Sequence, residues 1–140
     1  MTAAAPGTTP PATDRPRSPL YSALIGLASL GVLLQGVWAG LFIREGKQYD
    51  PHWVAVHSLD GQVTTALALV ATVVAFVQLR ARRDLVLGTA LFTLLLVAEV
   101  GLGSALGDAQ GLLALHIPLA LALMGLAVWL PLRARAAPRP

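Results

Sequence analysis

Four long apolar runs, divided by short polar breaks, organise this chain. They cover residues 20–43, 54–79, 85–106 and 111–132. A helix crosses a bilayer core with about 20 residues, and every run is at least that long. In lipid each backbone N–H and C=O must be satisfied within its own segment, so the runs predict helices. The period-two alternation of a membrane barrel is absent. The pattern predicts an all-α, four-transmembrane-helix bundle with antiparallel up-down topology. Gly107, Asp108, Ala109 and Gln110 read as a tight hairpin loop between the last two helices. Pro131, with Arg133 and Arg135, is expected to close the final one.

Residues 1–19 are rich in Pro, Thr and Ala and lack apolar periodicity, which predicts a disordered cytoplasmic tail. Arg15 and Arg17 before the first run also suit a signal peptide. The run is longer than the roughly 7–15 residues of a signal core, which favours a retained anchor. Residues 133–140 read as a basic cytoplasmic tail.

Composition narrows the class. Of 140 residues 56% are hydrophobic and 12% charged, far more apolar than a soluble domain. The net charge of +3 sits at the flanks of apolar runs, so a nucleic-acid partner is not expected and a lipid bilayer is. No cysteine is present, which removes disulfides, thiolate metal sites and thiol nucleophiles. Arg outweighs Lys, with Lys47 the one lysine, and Ala is abundant, a weak hint of a GC-rich bacterial genome.

Basic residues also set orientation. Arg15 and Arg17 lie in the N-terminal tail, Arg80, Arg82 and Arg83 in the second loop, and Arg133, Arg135 and Arg139 in the C-terminal tail. The first loop has Arg44 and Lys47, and the third has neither residue type. The positive-inside rule then places both termini in the cytoplasm of a bacterial inner-membrane protein.

A layer of polar groups carries the candidate chemistry. At 1.5 Å per residue, His57 lies about 6 Å inside the outer end of the second helix, and Asp60 about one turn deeper. His116 lies about 8 Å inside the fourth, Glu99 about 10 Å inside the third and Gln35 about 12 Å inside the first. The inner halves are expected to be almost free of polar groups. His57 and Asp60, three apart, share a face. Gly61 is expected beneath the His57 imidazole. Ala28, Gly31, Gln35 and Ala39 form a stripe of small residues around one amide, and Gly36–Gly40 and Gly103–Gly107 suit close helix packing.

Ionisable groups at membrane depth are costly and mark function by default. Two histidines at equal depth on alternate helices suit a shared guest. The bundle and neutral imidazoles together favour haem b as cofactor, with His57 and His116 as axial ligands. Asp60 and Glu99 have three readings. They orient the imidazoles, they complete a two-His, two-carboxylate zinc or iron site, or they are protonated and merely hydrogen-bonded. Gln35 reads as an interhelical hydrogen-bond partner. His52 reads as an exposed loop or interface residue. Trp38, Trp53 and Tyr49 suit an aromatic belt. Arg44 and Lys47 suit either haem propionates or ordinary loop solvation.

The segments WVAVHSLDGQV around His57 and ALHIPLALAL around His116 resemble one four-helix half of the haem A synthase family. That resemblance implies haem ligation at these two histidines. The chain has one half only, so a full synthase reaction is not implied. LLQGVWAGLF, Tyr49–His52 and LGDAQGLLALHIPLALALMGLAVWL resemble small four-helix bacterial integral membrane proteins classed as a domain of unknown function. That second likeness implies the architecture and no activity.

Three functions remain open at this point. One is a haem-b protein for electron transfer or haem handling, with a membrane redox partner or a homodimer. Another is a non-catalytic accessory or assembly module without a cofactor. The third is a proton or ion pathway through Glu99, Asp60 and the histidines. Triad, Walker, dinucleotide and zincin motifs are absent, so an enzyme is not the expectation.

Overall fold

The computed structural model describes residues 18–43, 50–105 and 110–136. Four helices account for nearly all of them: α1 Pro19–Phe42, α2 Pro51–Gln78, α3 Arg83–Ala105 and α4 Leu113–Arg135. A single 3₁₀ turn, Gln110–Leu112, leads into α4. Each of the four is long and apolar enough to cross a membrane. Large apolar side chains such as Leu69, Val77, Leu87, Leu94 and Leu121 are exposed around the bundle. In water so much exposed apolar surface would drive association; lipid covers it instead. The chain is a multi-pass membrane protein. Residues 1–17 and 137–140 of the tails and the loop residues Arg44, Lys47, Tyr49 and Asp108, all given roles above, lie outside the described residues, while Pro19 and Arg133–Arg135, read above as tail, are helical.

Helix limits follow local chemistry. Ser18 caps α1, its side chain accepting from the Tyr21 N–H at 3.0 Å, with Pro19 at the first helical position. Asp50 does the same for α2, accepting from His52 N–H at 3.0 Å ahead of Pro51. This cap starts α2 one turn earlier than the apolar run suggests, so His52 stands on a helix and not in a loop. Arg133 and Arg135 stand in the last turn of α4 as expected, but Pro131 lies inside the helix and does not stop it. The helix carries both Pro118 and Pro131 and runs on to Arg135. Beyond Pro131 it is held from outside: the Arg82 guanidinium donates to the Arg133 carbonyl at 3.0 Å, and Arg133 Nε reaches Asp84 at 2.6 Å.

Packing runs in a ring. α1 and α3 each lie against α2 and α4, which leaves α2 and α4 facing across the bundle. On α2 the buried positions are Gly61, Thr64, Ala68, Ala71 and Ala75, a three-four spacing made of small residues. Small side chains let backbones approach, and Gly31 on α1 marks the tightest point. A Cβ at Gly31 would collide with the Thr64 hydroxyl. Gly36 and Gly40, expected to serve packing, face open space.

The buried core is concentrated toward one end. Tyr21, Ile25, Ala28, Phe92, Leu85, Leu123, Ala127 and Leu130 fill it. Along α4 the buried positions are Leu123, Ala127 and Leu130, and no residue from Leu113 to Ala122 is buried. The bundle is therefore tight where Arg82 lies and looser where the histidines lie. The tight half is not free of polar groups, which corrects the expectation above. Tyr21 Oη and Thr89 Oγ1 lie 2.7 Å apart, and Thr72 and Thr93 hydroxyls 2.9 Å apart. All four are neutral hydroxyls, and two of the threonines also bond a helix carbonyl one turn back, Thr89 to Leu85 and Thr72 to Ala68. The buried titratable carboxylate of the apolar interior, Glu99, sits with the histidines.

Candidate functional site

The site divides into two halves on opposite sides of the bundle. The first joins α1 to α2. Gln35 reaches across from α1, and its amide nitrogen donates to the His57 carbonyl at 3.0 Å and to the Asp60 carboxyl at 2.7 Å. Thr64, one turn along α2, makes a longer contact with the other Asp60 oxygen at 3.5 Å. Asp60 thus holds Gln35 and not an imidazole. The His57 ring leans edge-on against Phe42, with ring centroids 5.3 Å apart. Its Nδ1 is buried and has no hydrogen-bond partner.

The second half joins α3 to α4. His116 Nδ1 lies 2.7 Å from Glu99 Oε2, and Glu99 is 8% exposed. The approach is at ion-pair distance, while its angles fall outside those of a hydrogen bond. Gly103, one turn beyond Glu99 on α3, comes next to the same ring: a Cβ there would stand 3.7 Å from His116 Cε1. Gly61, expected to underlie His57, instead faces the Gln35 amide and Val100 at about this distance, 3.6–3.9 Å. The glycine beside an imidazole is Gly103.

Electrostatics link the halves. His57 lies within charge–charge range of both His116 and Asp60. A direct four-ligand metal site is a different matter. Among the described residues no three His, Asp or Glu side chains gather as metal ligands would. The carboxylates are engaged separately, Asp60 with Gln35 and Glu99 with His116.

Aromatic rings cluster at the same end. Trp38 and Trp53 stack with centroids 5.6 Å apart and planes 9° from parallel, and exposed His52 meets Trp53 edge-on at 5.0 Å. Stacking of this kind fastens α1 to the start of α2 where the core is thin.

Grooves on the surface of the described residues include two between or beside helices. One, of about 320 Å³, runs between α2 and α3 and is lined by Gln62, Thr65, Ala66, Leu69, Val97 and Val100. The other, of about 270 Å³, lies at the opposite end by Ser18, Ser22 and Arg135. Neither is lined by a histidine. Gln62 is the polar residue that the sequence reading passes over. Its signal is an amide in the middle of an apolar run, outside the helical face shared by His57 and Asp60.

Compared with family models, curated proteins and solved structures, the chain matches none.

Proposed function

We propose that this chain is a haem-b-binding bundle of a bacterial cytoplasmic membrane, serving electron transfer or haem handling. His57 and His116 would hold the haem iron. One observation carries the reading: two half-buried imidazoles project from the two helices that face each other across the bundle, at its loosely packed end. Their nitrogens suit ligation. His57 Nδ1 is buried without a partner. Glu99 engages His116 at Nδ1, which turns Nε2 to the other side of the ring. Carboxylate engagement of the remote nitrogen is the usual way a ligating imidazole is oriented and made more basic. Gly103 presents no side chain to that ring.

Bound haem would supply a one-electron couple. The chain's own part is to hold and orient. Gln35 ties the His57 backbone to α1, which fixes the level of that imidazole. Phe42 limits the tilt of its ring. The apolar surroundings exclude water, and a dry site lets the Glu99 charge act strongly on His116. An up-down arrangement with both termini cytoplasmic belongs to this proposal. It is supported by Ser18 meeting Gln78, Gln35 meeting Asp60, Glu99 meeting His116 and Asp84 meeting Arg133. The basic second loop supports the orientation.

A second reading rests on Gln35 and Val100, which crowd the space beside Gly61. In that reading the polar groups fix helix register in an accessory module with no cofactor. A reduced-minus-oxidised spectrum of detergent-purified protein, expressed with ample haem, separates the two. The haem reading expects sharp bands in the wild type and their loss in both His57→Ala and His116→Ala. A featureless wild-type spectrum supports the accessory reading, and bands that survive both changes overturn ligation by these two histidines.

A further inference from the structure

The α2–α3 groove has a feature the haem reading does not use. Gln62 is the twelfth of the 28 residues of α2. At 1.5 Å per residue it stands about 17 Å from one end of the helix and about 24 Å from the other. For a span of this length that depth lies within the hydrocarbon. The side chain is exposed there, and among the described residues its one hydrogen bond is a long donation to Ser58 at 3.4 Å. A second N–H and the amide oxygen are left facing lipid, where no water can serve them.

The surroundings permit a close neighbour. Ala66, one turn from Gln62, is exposed and small. Gly101 on α3 follows the groove residue Val97 by one turn and has no atom within 4 Å of its would-be Cβ. Small residues beside a polar group are the composition of helix–helix contacts in membranes.

We infer that this face pairs with a second copy of the same chain, Gln62 to Gln62, across a two-fold axis along the membrane normal. Complementarity selects the occupant. An amide is its own complement: each side chain has a carbonyl for the other's N–H. A two-fold mate in the same orientation brings that group to the same depth, and an isologous contact satisfies both copies at once. A lipid tail or another hydrocarbon in the groove would leave both amides unpaired. The inference is independent of the histidines and stands or falls apart from haem.

The chain has no cysteine, so single-cysteine variants are informative without further change. Ala66→Cys and Gly101→Cys, oxidised in native membranes at low expression, are expected to give disulfide-linked dimers. Leu121→Cys on the exposed face of α4 is expected to stay monomeric. Gln62→Leu in the Ala66→Cys background removes both members of the amide pair and should lower the dimer yield by at least about threefold to thirtyfold, the range for a single interhelical hydrogen bond in a membrane. Gln62→Asn keeps an amide and should retain part of that yield. Leucine is at home in lipid, so loss of folding is not a confounding outcome, and intact helicity by circular dichroism checks it. Equal cross-linking at Leu121 and Ala66, no dimer at either groove position, or a yield unchanged by Gln62→Leu overturns the inference. Cross-linking to a different chain in place of a second copy overturns it as well.

Discussion

Glu99 on α3 stands 2.7 Å from the Nδ1 of His116 on α4, and it is the buried carboxylate of the membrane interior. A carboxylate is placed in hydrocarbon only with a partner or a purpose. Here the partner is the remote nitrogen of a candidate ligand, which makes Glu99 a positioning residue for the proposed site. Glu99→Gln should therefore weaken haem binding about 10–100-fold while preserving the fold. The reduction potential should rise, because an anion beside the imidazole favours the oxidised centre and glutamine removes it. Haem titration and redox potentiometry check both effects. Unchanged affinity together with unchanged potential would leave Glu99 a structural residue only.

Gly31 and Thr64 form the closest crossing of α1 and α2. Gly31→Ala places a methyl group on the Thr64 hydroxyl and should destabilise the bundle by about 1–3 kcal/mol, the usual cost of overpacking. Thr64→Gly removes the three atoms nearest to that methyl group, all of them in the Thr64 side chain. The double variant should recover most of the loss, and a double-mutant cycle on thermal melts in detergent would display the coupling. Additive losses would mean that the two helices part more easily than this packing implies.

The number of spans and their approximate limits are legible from the apolar runs alone, because about 20 apolar residues have few other uses. The finer limits follow weaker signals. The Asp50–Pro51 pair is a capping pattern, and it outweighs the polar character of the first turn of α2. The passage of α4 through Pro131 depends on Arg82 and Asp84, which come from elsewhere in the chain. At the site, depth along each helix brings out His57, His116, Glu99, Asp60 and Gln35 as one layer. Which of them touch is not contained in depth. Gln35 could have met either neighbour, and it lies one turn from Gly31, where α1 approaches Thr64 of α2 closely, on the side that meets Asp60. Gly103 beside His116 and Gly31 beside Thr64 are likewise matters of rotation about the helix axis, which almost uniformly apolar helices record poorly.

Tyr21 and Thr89 share a hydrogen bond at 2.7 Å between α1 and α3, across the tight end. Thr89 also bonds the Leu85 carbonyl, so it keeps a partner when Tyr21 loses its hydroxyl. Tyr21→Phe should consequently cost only about 0.5–1.5 kcal/mol. Tyr21→Ala also opens a cavity in the core and should cost about 3–5 kcal/mol, by analogy with large-to-small aromatic changes. Denaturation in mixed micelles checks the ratio. Similar losses in the two variants would mean that the hydroxyl, and not the ring, secures this end.

Asp84 accepts from two arginines at the start of α3. Arg82 approaches it at 3.2 Å and Arg133 at 2.6 Å, and Arg82 is 6% exposed. Asp84→Ala would strip a buried guanidinium of its anion and release the end of α4, where Pro131 already weakens the helix. Arg82 would keep its bond to the Arg133 carbonyl, so the loss should be about 1–3 kcal/mol and not a full uncompensated charge. The damage should be local. Hydrogen exchange should speed in residues 131–136 far more than around His116, which lies at the other end of α4. Arg133→Leu in the Asp84→Ala background should add little, since the ion pair is already gone. Uniform acceleration along α4 would show instead that Asp84 supports the whole bundle, the histidine end included.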